Sequence, residues 1–340
     1  MAQFSFVEMT PPILLAVPNV SEGRDRRVID AIGQALASPT GGGSTETAPG
    51  RSGDDWSASG VRLLDVHSDA DHHRSVYTLA GRPGELAEAL LRGAEMAVQR
   101  IDVMAPSGGA ESREEIPPAR VGQHPHVGAL DVAPVVYLSS RDRGAACAEA
   151  LVVADRIGSE LGVPVFLYGE LTGDRSITRA ELRRGGVAGL AMRMSAGHDA
   201  PGALIPDFGP PRMHPTAGAA LVTARPPLVA FNLQLSPPAT VQQARAIAAL
   251  IRDGGEYGLA GVRAIGIALS GGVGQVSMNV ERPLEVPLAN VIEAVRAHAG
   301  VSSAELVGLA PRAALTGFPE DLPLLGFDSA RHVIENALGC

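Results

Sequence analysis

The amino-acid sequence predicts an α/β (α+β) fold in two halves. Short β-rich apolar runs alternate with segments of helical periodicity, which is typical of mixed sheets covered by helices. The second half has the order β-α-β-β-α-β, and the first half begins with that order before it adds one helix and one strand. This order is the split βαβ, or ferredoxin-like, unit. Two such subdomains predict two sheets, each with its helices on one face, and a ligand cleft between them.

The elements of the first half follow from apolar runs and turn residues. In one predicted helix, Leu86, Leu90, Ala94 and Ala97 recur at helical spacing and share a face. The predicted strands are residues 13–17, 61–66, 75–80, 132–138 and 163–168, and the predicted helices are residues 24–36, 84–101 and 141–161. We expect these elements to form an N-terminal subdomain over residues 1–200, with loop insertions at residues 39–60 and 105–120.

The second half begins after a cluster of Pro, Asp and Gly at residues 206–211, which indicates a linker or turn. Thr240 is the expected N-cap of a helix. The predicted strands are residues 228–235, 264–269, 275–280 and 304–309, and the predicted helices are residues 240–252 and 288–298. Residues 270–274 are rich in glycine, but they join two strands and lack the lysine of a phosphate loop, so we predict a hairpin turn. We expect a C-terminal subdomain over residues 204–323 and a helical tail over residues 324–340.

Composition excludes several classes of protein. Of the 340 residues, 45% are hydrophobic and 19% are charged, which suffices for a packed core. No apolar run is long enough for a membrane span, and the N-terminus lacks the features of a secretory leader. Cys147 and Cys340 are the only cysteines, which predicts a reducing, cytoplasmic location. The net charge of −9 argues against nucleic acid as a partner.

The chain contains no lysine, since all 28 basic residues are arginine. This excludes Schiff-base chemistry, pyridoxal-phosphate attachment and a lysine general base. A catalytic base must then be His, Asp, Glu, Cys or Tyr. A charged side chain that binds an anion must then be arginine, whose planar guanidinium suits carboxylates.

Histidine is the expected proton carrier, because it titrates near neutral pH. Residues 65–74 (DVHSDADHHR) combine three carboxylates, three imidazoles and a guanidinium, which is dense for a solvated hairpin tip. Residues 124–131 (HPHVGALD) place a His-Pro turn before a strand. Zinc binding by His124, His126 and His72 or an aspartate is an alternative, but no H-E-x-x-H spacing accompanies it, so we expect no metal.

Several sequence blocks carry a family resemblance. Residues 17–23 (VPNVSEG) resemble the opening V-P-N-F-S-E-G of glutamate formimidoyltransferases. Further similar blocks follow in family order at residues 69–74, 122–131, 163–168, 206–210, 214–218, 230–232, 275–279 and 306–309. Together they span nearly the whole chain apart from the two predicted insertions.

The resemblance implies transfer of a formimidoyl group from N-formimidoyl-L-glutamate to N5 of tetrahydrofolate, a step of histidine breakdown. It also implies two α/β subdomains with the folate between them, tetrahydrofolate as co-substrate, and a homodimer. The family's catalytic histidine falls on His124. Its folate-contacting stretch falls on Gly209, Pro210, Pro211, Arg212, Met213, His214, Pro215, Thr216, Ala217 and Gly218.

We expect His124 to accept a proton from N5 and to return it to the departing nitrogen. Asp71 or Asp131 could hold its tautomer, and Arg74 could pair with a donor carboxylate. Contacts with the substrate are also expected from His72 and His67.

The chain departs from the family pattern at His67, His73, His126 and Val187. A different amidine donor, such as formimidoyl-glycine, therefore remains an alternative for a transferase or a hydrolase. A non-catalytic folate-binding module is the other alternative.

Overall fold

The computed structural model describes residues 11–39, 60–105, 125–196, 200–269 and 272–339. Two β-sheets face each other across a cavity, and the main helices cover the outer face of each sheet. The predicted α/β class is therefore confirmed. The predicted insertions at residues 39–60 and 105–120 lie largely outside the described residues, as do the first two residues of the predicted turn at 270–274.

The first sheet has seven strands. They are β1 (Leu14–Ala16), β2 (Asn19–Val20), β3 (Arg62–Asp69), β4 (Arg74–Gly81), β5 (Leu130–Val136), β6 (Val165–Leu167) and β7 (Ala220–Arg225). The short strands β1 and β2 follow one another between β4 and β5, and both are antiparallel to these neighbours. β3 extends the sheet beyond β4, while β7 and β6 extend it beyond β5.

The strand β7 is a difference from the sequence analysis, which predicts no strand at these residues, while the subdomain bounds at residues 200 and 204 stay predictions. Residues 220–225 instead pair in parallel with β5 and β6, so the first sheet continues to Arg225. A parallel pair is joined by a long crossover. The strand β7 therefore forms by pairing with strands that are distant in the sequence, and a short apolar run does not reveal which strands those are.

Five α-helices lie in the described part of this half. They are α1 (Arg26–Ala37), α2 (Glu85–Arg100), α3 (Arg143–Glu160), α4 (Arg179–Leu182) and α5 (Gly186–Ser195). The apolar faces of α1, α2 and α3 form one core with the outer face of the sheet. The buried Glu149 carboxylate of α3 accepts hydrogen bonds from the backbone nitrogens of Gly84 and Ala87, which satisfies the N-terminus of α2.

The second sheet has five strands. They are β8 (Val229–Leu235), β9 (Val262–Ala268), β10 (Gly274–Val280), β11 (Val301–Val307) and β12 (Leu324–Leu325). The order across the sheet is β12-β11-β8-β10-β9. Helices α6 (Val241–Ile251) and α7 (Leu288–Arg296) pack on its outer face. The predicted β-α-β-β-α-β order and the Thr240 cap are confirmed, while the ferredoxin-like relationship stays a prediction.

The tail connects the two halves. It contains two short helices, α8 (Ser329–His332) and α9 (Ile334–Leu338). Ile334 packs with Leu15 and Val136 on the inner face of the first sheet. The Arg331 guanidinium lies 3.6 Å from the buried Asp65 carboxylate of β3. The end of the second half therefore covers part of the first sheet.

Candidate active site

An inter-sheet cavity of about 1320 Å³ lies between the inner faces of the two sheets. Because successive residues of a strand point to opposite faces, alternate residues line it. They include Arg74, Val76 and Thr78 of β4, Val132, Pro134 and Val136 of β5, Ala230 and Asn232 of β8, and Ser277 and Asn279 of β10. A typical small-molecule pocket holds roughly 300–1,000 Å³, so this cavity has room for two substrates together.

The first sequence block, residues 17–23, packs directly against the loop between β3 and β4. A Cβ atom at Gly23 would lie 2.2 Å from the Asp69 carbonyl oxygen and 2.4 Å from the Arg74 backbone nitrogen. Both neighbours are backbone atoms, so only glycine permits this approach. The glycine that ends the block therefore holds the histidine-rich loop against the first sheet.

Asp69 orders that loop. Its carboxylate accepts hydrogen bonds from the backbone nitrogens of Asp71 and His72 at 2.8 and 2.9 Å, and it lies 3.0 Å from His72 Nδ1. Burial alone would raise the pKa of Asp69, but the bonds from His72 lower it to about 2. The His72 ring is 9% exposed and lines the cavity, whereas Asp71 lies off the cavity wall.

His73 connects the loop to the other histidine segment. Its backbone has φ 50°, and its Nδ1 accepts a hydrogen bond from the Gly23 nitrogen at 3.2 Å. Burial lowers the pKa of His73, the Glu22 charge raises it, and the charges of Arg24 and His126 lower it further. The loop and the segment that contains His126 therefore lie close enough for their charges to interact.

Asp131 anchors the segment that follows His124. One carboxylate oxygen accepts a hydrogen bond from the Val127 nitrogen at 2.9 Å, and the other forms an ion pair with Arg183. Each partner's side chain is 4% exposed. Pro125, at the start of this segment, lines the cavity. His124 itself lies outside the described residues.

Arg74 and His67, both predicted to contact substrate, occupy different places. Arg74 lies on the cavity wall and donates a hydrogen bond to Asn19 Oδ1. His67 lies on β3 away from that wall, with Nε2 3.7 Å from Glu305 Oε1 of the second sheet. The cavity thus brings together Arg74 and His72, whereas His67 connects the two sheets.

The predicted folate-contacting strip, residues 209–218, lies behind the segment anchored by Asp131. Gly218 forms a β-bridge with Gly128, and a Cβ atom at Gly128 would lie 1.8 Å from the Ala219 carbonyl oxygen. None of the strip's ten residues, all of which are described, lines the inter-sheet cavity. Its contact with folate stays a prediction, and its observed neighbours are residues that follow His124.

Four arginines that are buried or half-buried line the cavity, and only Arg74 among them is a predicted site residue. The arginine cluster of the cavity wall consists of Arg74, Arg179, Arg183 and Arg225. Burial lowers the pKa of Arg74 to about 9 and that of Arg225 to about 10. Arg179 begins the short helix α4 and Arg183 directly follows it, and a helix of four residues gives no periodic signal. One feature of the sequence could have identified Arg225 as a site residue. It is the charged residue that ends an apolar run, residues 220–225 (ALVTAR), in a chain without lysine.

The described residues contain neither a candidate metal cluster nor a helix that could span a membrane. Within those ranges, no group of three or more His, Cys, Asp or Glu side chains is placed to hold a metal ion. No helix in the same part of the chain has the length and apolar character that crossing a membrane requires.

The fold and the cavity define an α/β protein whose arginine-lined cavity suits anionic small molecules. Residues 13–225 match the formiminotransferase domain, N-terminal subdomain, and the match ends at the last residue of β7. Over 335 residues the chain is 33% identical to a glutamate formimidoyltransferase of Streptococcus pyogenes serotype M1, covering 96% of this chain and 98% of that protein.

Two further relatives agree. A glutamate formimidoyltransferase of Thermoplasma acidophilum is 32% identical over 92% of this chain and 93% of that protein. A formimidoyltransferase-cyclodeaminase of Gallus gallus is 33% identical over 88% of this chain and 50% of that protein. The chain belongs to the formiminotransferase family and is an enzyme of the transferase class.

Proposed function

We propose that this enzyme transfers a formimidoyl group from N-formimidoyl-L-glutamate to N5 of tetrahydrofolate, giving 5-formimidoyltetrahydrofolate and glutamate. Two relatives that match nearly full length and are named glutamate formimidoyltransferase support this donor. The observation in this chain that carries the proposal is the arginine cluster on the cavity wall, since both substrates carry glutamate carboxylates. The reaction would belong to histidine breakdown, with tetrahydrofolate as co-substrate and no metal.

His124 is the proposed general acid and base. Its neutral imidazole takes the N5 proton while N5 forms a bond to the amidine carbon. The resulting imidazolium then gives this proton to the glutamate nitrogen as the bond from that nitrogen to the carbon breaks. One group that titrates near neutral pH thus serves both proton transfers.

Asp131 is the proposed positioning residue for this chemistry. Its hydrogen bond to the Val127 nitrogen supports this role, because it holds the backbone three residues after His124. Asp71 remains the alternative partner for the imidazole. Arg74 adds positive charge to the wall that a donor carboxylate would approach.

The arrangement of the whole molecule supports joint binding of both substrates. Residues of both sheets line one cavity, so two substrates held there would gain from proximity. The homodimer and the cytoplasmic location belong to this proposal as well, and so do folate contacts at residues 209–218, which lie off the cavity wall beside the segment that follows His124.

A donor panel tests the proposal. The purified protein is incubated with N-formimidoyl-glutamate or N-formimidoyl-glycine, each with and without tetrahydrofolate, and the 5-formimidoyl adduct is measured. We expect the adduct only with the glutamate donor and folate together. Use of the glycine donor alone, hydrolysis without folate, or folate binding without any transfer would each contradict the proposed reaction.

A further inference from the structure

Two arginines of the cluster, Arg179 and Arg225, form no ion pair with any carboxylate of the described residues. Both are half-buried and line the inter-sheet cavity. Arg225 donates from Nη1 to the Pro226 carbonyl oxygen at 2.9 Å, which fixes the guanidinium beside the connection between the two sheets. Arg179 is the first residue of α4, whose start is held by the capping box of Thr178.

The other two arginines of the cluster have partners within the protein. Arg183 is paired with Asp131, and Arg74 donates to Asn19. The exposed Arg184 and Arg252 also reach the cavity, but water solvates them. Arg179 and Arg225 are therefore the half-buried cations of the cluster that have no ion-pair partner among the described residues.

The acidic groups nearby are already engaged. Among the described residues that line the cavity, the carboxylates are those of Glu170, Asp253 and Glu281. Glu170 accepts hydrogen bonds from Tyr137 and Arg143, and Asp253 accepts one from the Gly261 nitrogen. Glu281 lies 3.5 Å from Arg263. The Glu181 carboxylate of α4 is bound to Thr178.

Burial of two such cations is unfavourable without an anion. The pKa of Arg225 is lowered to about 10, chiefly by loss of water and also by the charge of Arg179, although Tyr168 and Glu281 act in the opposite direction. The pKa of Arg179 is lowered by burial and by the charge of Arg183, and Tyr168, Asp131 and Glu281 offset only part of this effect. A desolvated charge is costly unless it is paired, so a ligand that brings negative charge would be stabilised here.

We propose that Arg179 and Arg225 form the site for the two carboxylates of a glutamate moiety. This inference rests on the proposed function and assigns its substrate recognition. Each planar guanidinium can hold one carboxylate through two parallel hydrogen bonds. The moiety belongs either to the formimidoyl donor or to the glutamate tail of tetrahydrofolate. Recognition by this pair requires two acidic groups, so a ligand with a single carboxylate binds this site poorly.

Binding of glutarate tests the site without any reaction, because glutarate has two carboxylates and no reactive group. Calorimetric titration compares the wild type with Arg179→Gln and Arg225→Gln. We expect each variant to bind glutarate about 10- to 100-fold more weakly, as for loss of a charged hydrogen bond. Arg175→Gln is the matched control, since Arg175 is exposed, pairs with Asp207 and lies off the cavity wall. Thermal unfolding verifies that every variant is folded, and Arg225→Lys retains the charge should Arg225→Gln fail to fold.

Steady-state kinetics then identifies the source of the carboxylates. A raised KM for the donor with an unchanged KM for tetrahydrofolate assigns the site to the donor, and the reverse assigns it to the folate tail. Unchanged glutarate binding and unchanged KM values in both variants would overturn the inference while transfer activity persists. Glutarate binding that depends on both arginines, in a protein without transfer activity, would instead refute only the proposed function.

Discussion

At the scale of single residues, the site depends on how buried charges are paired. Asp131 uses one oxygen for the Val127 nitrogen and the other for Arg183, so a single carboxylate fixes both a backbone segment and a cavity guanidinium. The Asp69 carboxylate likewise fixes the loop before β4 and the His72 ring. The sequence indicated that aspartate, histidine and arginine side chains form the candidate active site. It did not indicate their partners, since Asp131 and Arg183 are 52 residues apart.

Replacement of His124 by alanine is the first prediction. We expect turnover to fall by about 10²–10⁴-fold with folate affinity little changed, because only the proton transfers lose their carrier. Initial rates and tetrahydrofolate titrations measure the two effects. Turnover comparable to that of the wild type would remove His124 from the chemistry.

Replacement of Asp131 by asparagine is the second prediction. The change leaves the buried Arg183 without its counter-charge, so the free energy of unfolding should fall by about 3–5 kcal/mol. Urea denaturation measures this loss. The double variant Asp131→Leu with Arg183→Met removes both charges and should lose less than the single variant. If the double variant loses as much free energy of unfolding as the single variant, or more, the unpaired charge of Arg183 is not the cause of the destabilisation.

At the scale of elements, strands supply most of the cavity wall, and the loop between β3 and β4 adds His72 to it. The loop between β3 and β4 is held by the contact with Gly23 and by the acceptors of Asp69. Most strands and helices were predictable, because their apolar periodicity is local. The strand β7 and the helix α4 were not, because β7 depends on parallel pairing with β5 and β6 and α4 spans one turn.

The low pKa of Asp69, about 2, gives the third prediction. A carboxyl whose pKa is lower in the folded state stabilises the fold above its ordinary pKa and loses that contribution as the pH falls toward the folded value. At pH 7 Asp69→Asn should therefore be less stable than the wild type by up to about 2 kcal/mol. The difference should shrink below about pH 4. Urea denaturation of both proteins at several pH values measures it, and a difference independent of pH would contradict the assignment.

At the scale of the whole molecule, two sheets share one cavity, and the tail of the second half closes against the first. The sequence predicted the cleft from the repeated element order. It could not predict how α9 packs on β1 and β5, because that contact joins residues that are far apart in the sequence.

Replacement of Ile334 by alanine is the fourth prediction. Ile334 is 6% exposed and packs against the first sheet, so the free energy of unfolding should fall by about 2–4 kcal/mol. Leu325→Ala is the matched control, because Leu325 is 46% exposed and its loss should cost within about 0.5 kcal/mol. Urea denaturation compares them, and equal losses would show that the tail does not stabilise the molecule through this contact.

One isotope experiment tests the central claim most directly. N-formimidoyl-L-glutamate labelled with ¹³C at the amidine carbon is mixed with the enzyme and tetrahydrofolate, and the label is followed by NMR. Our account predicts that the label moves to N5 of tetrahydrofolate as unlabelled glutamate is released. A label that stays on glutamate, or that leaves as a hydrolysis product in the absence of folate, would contradict it.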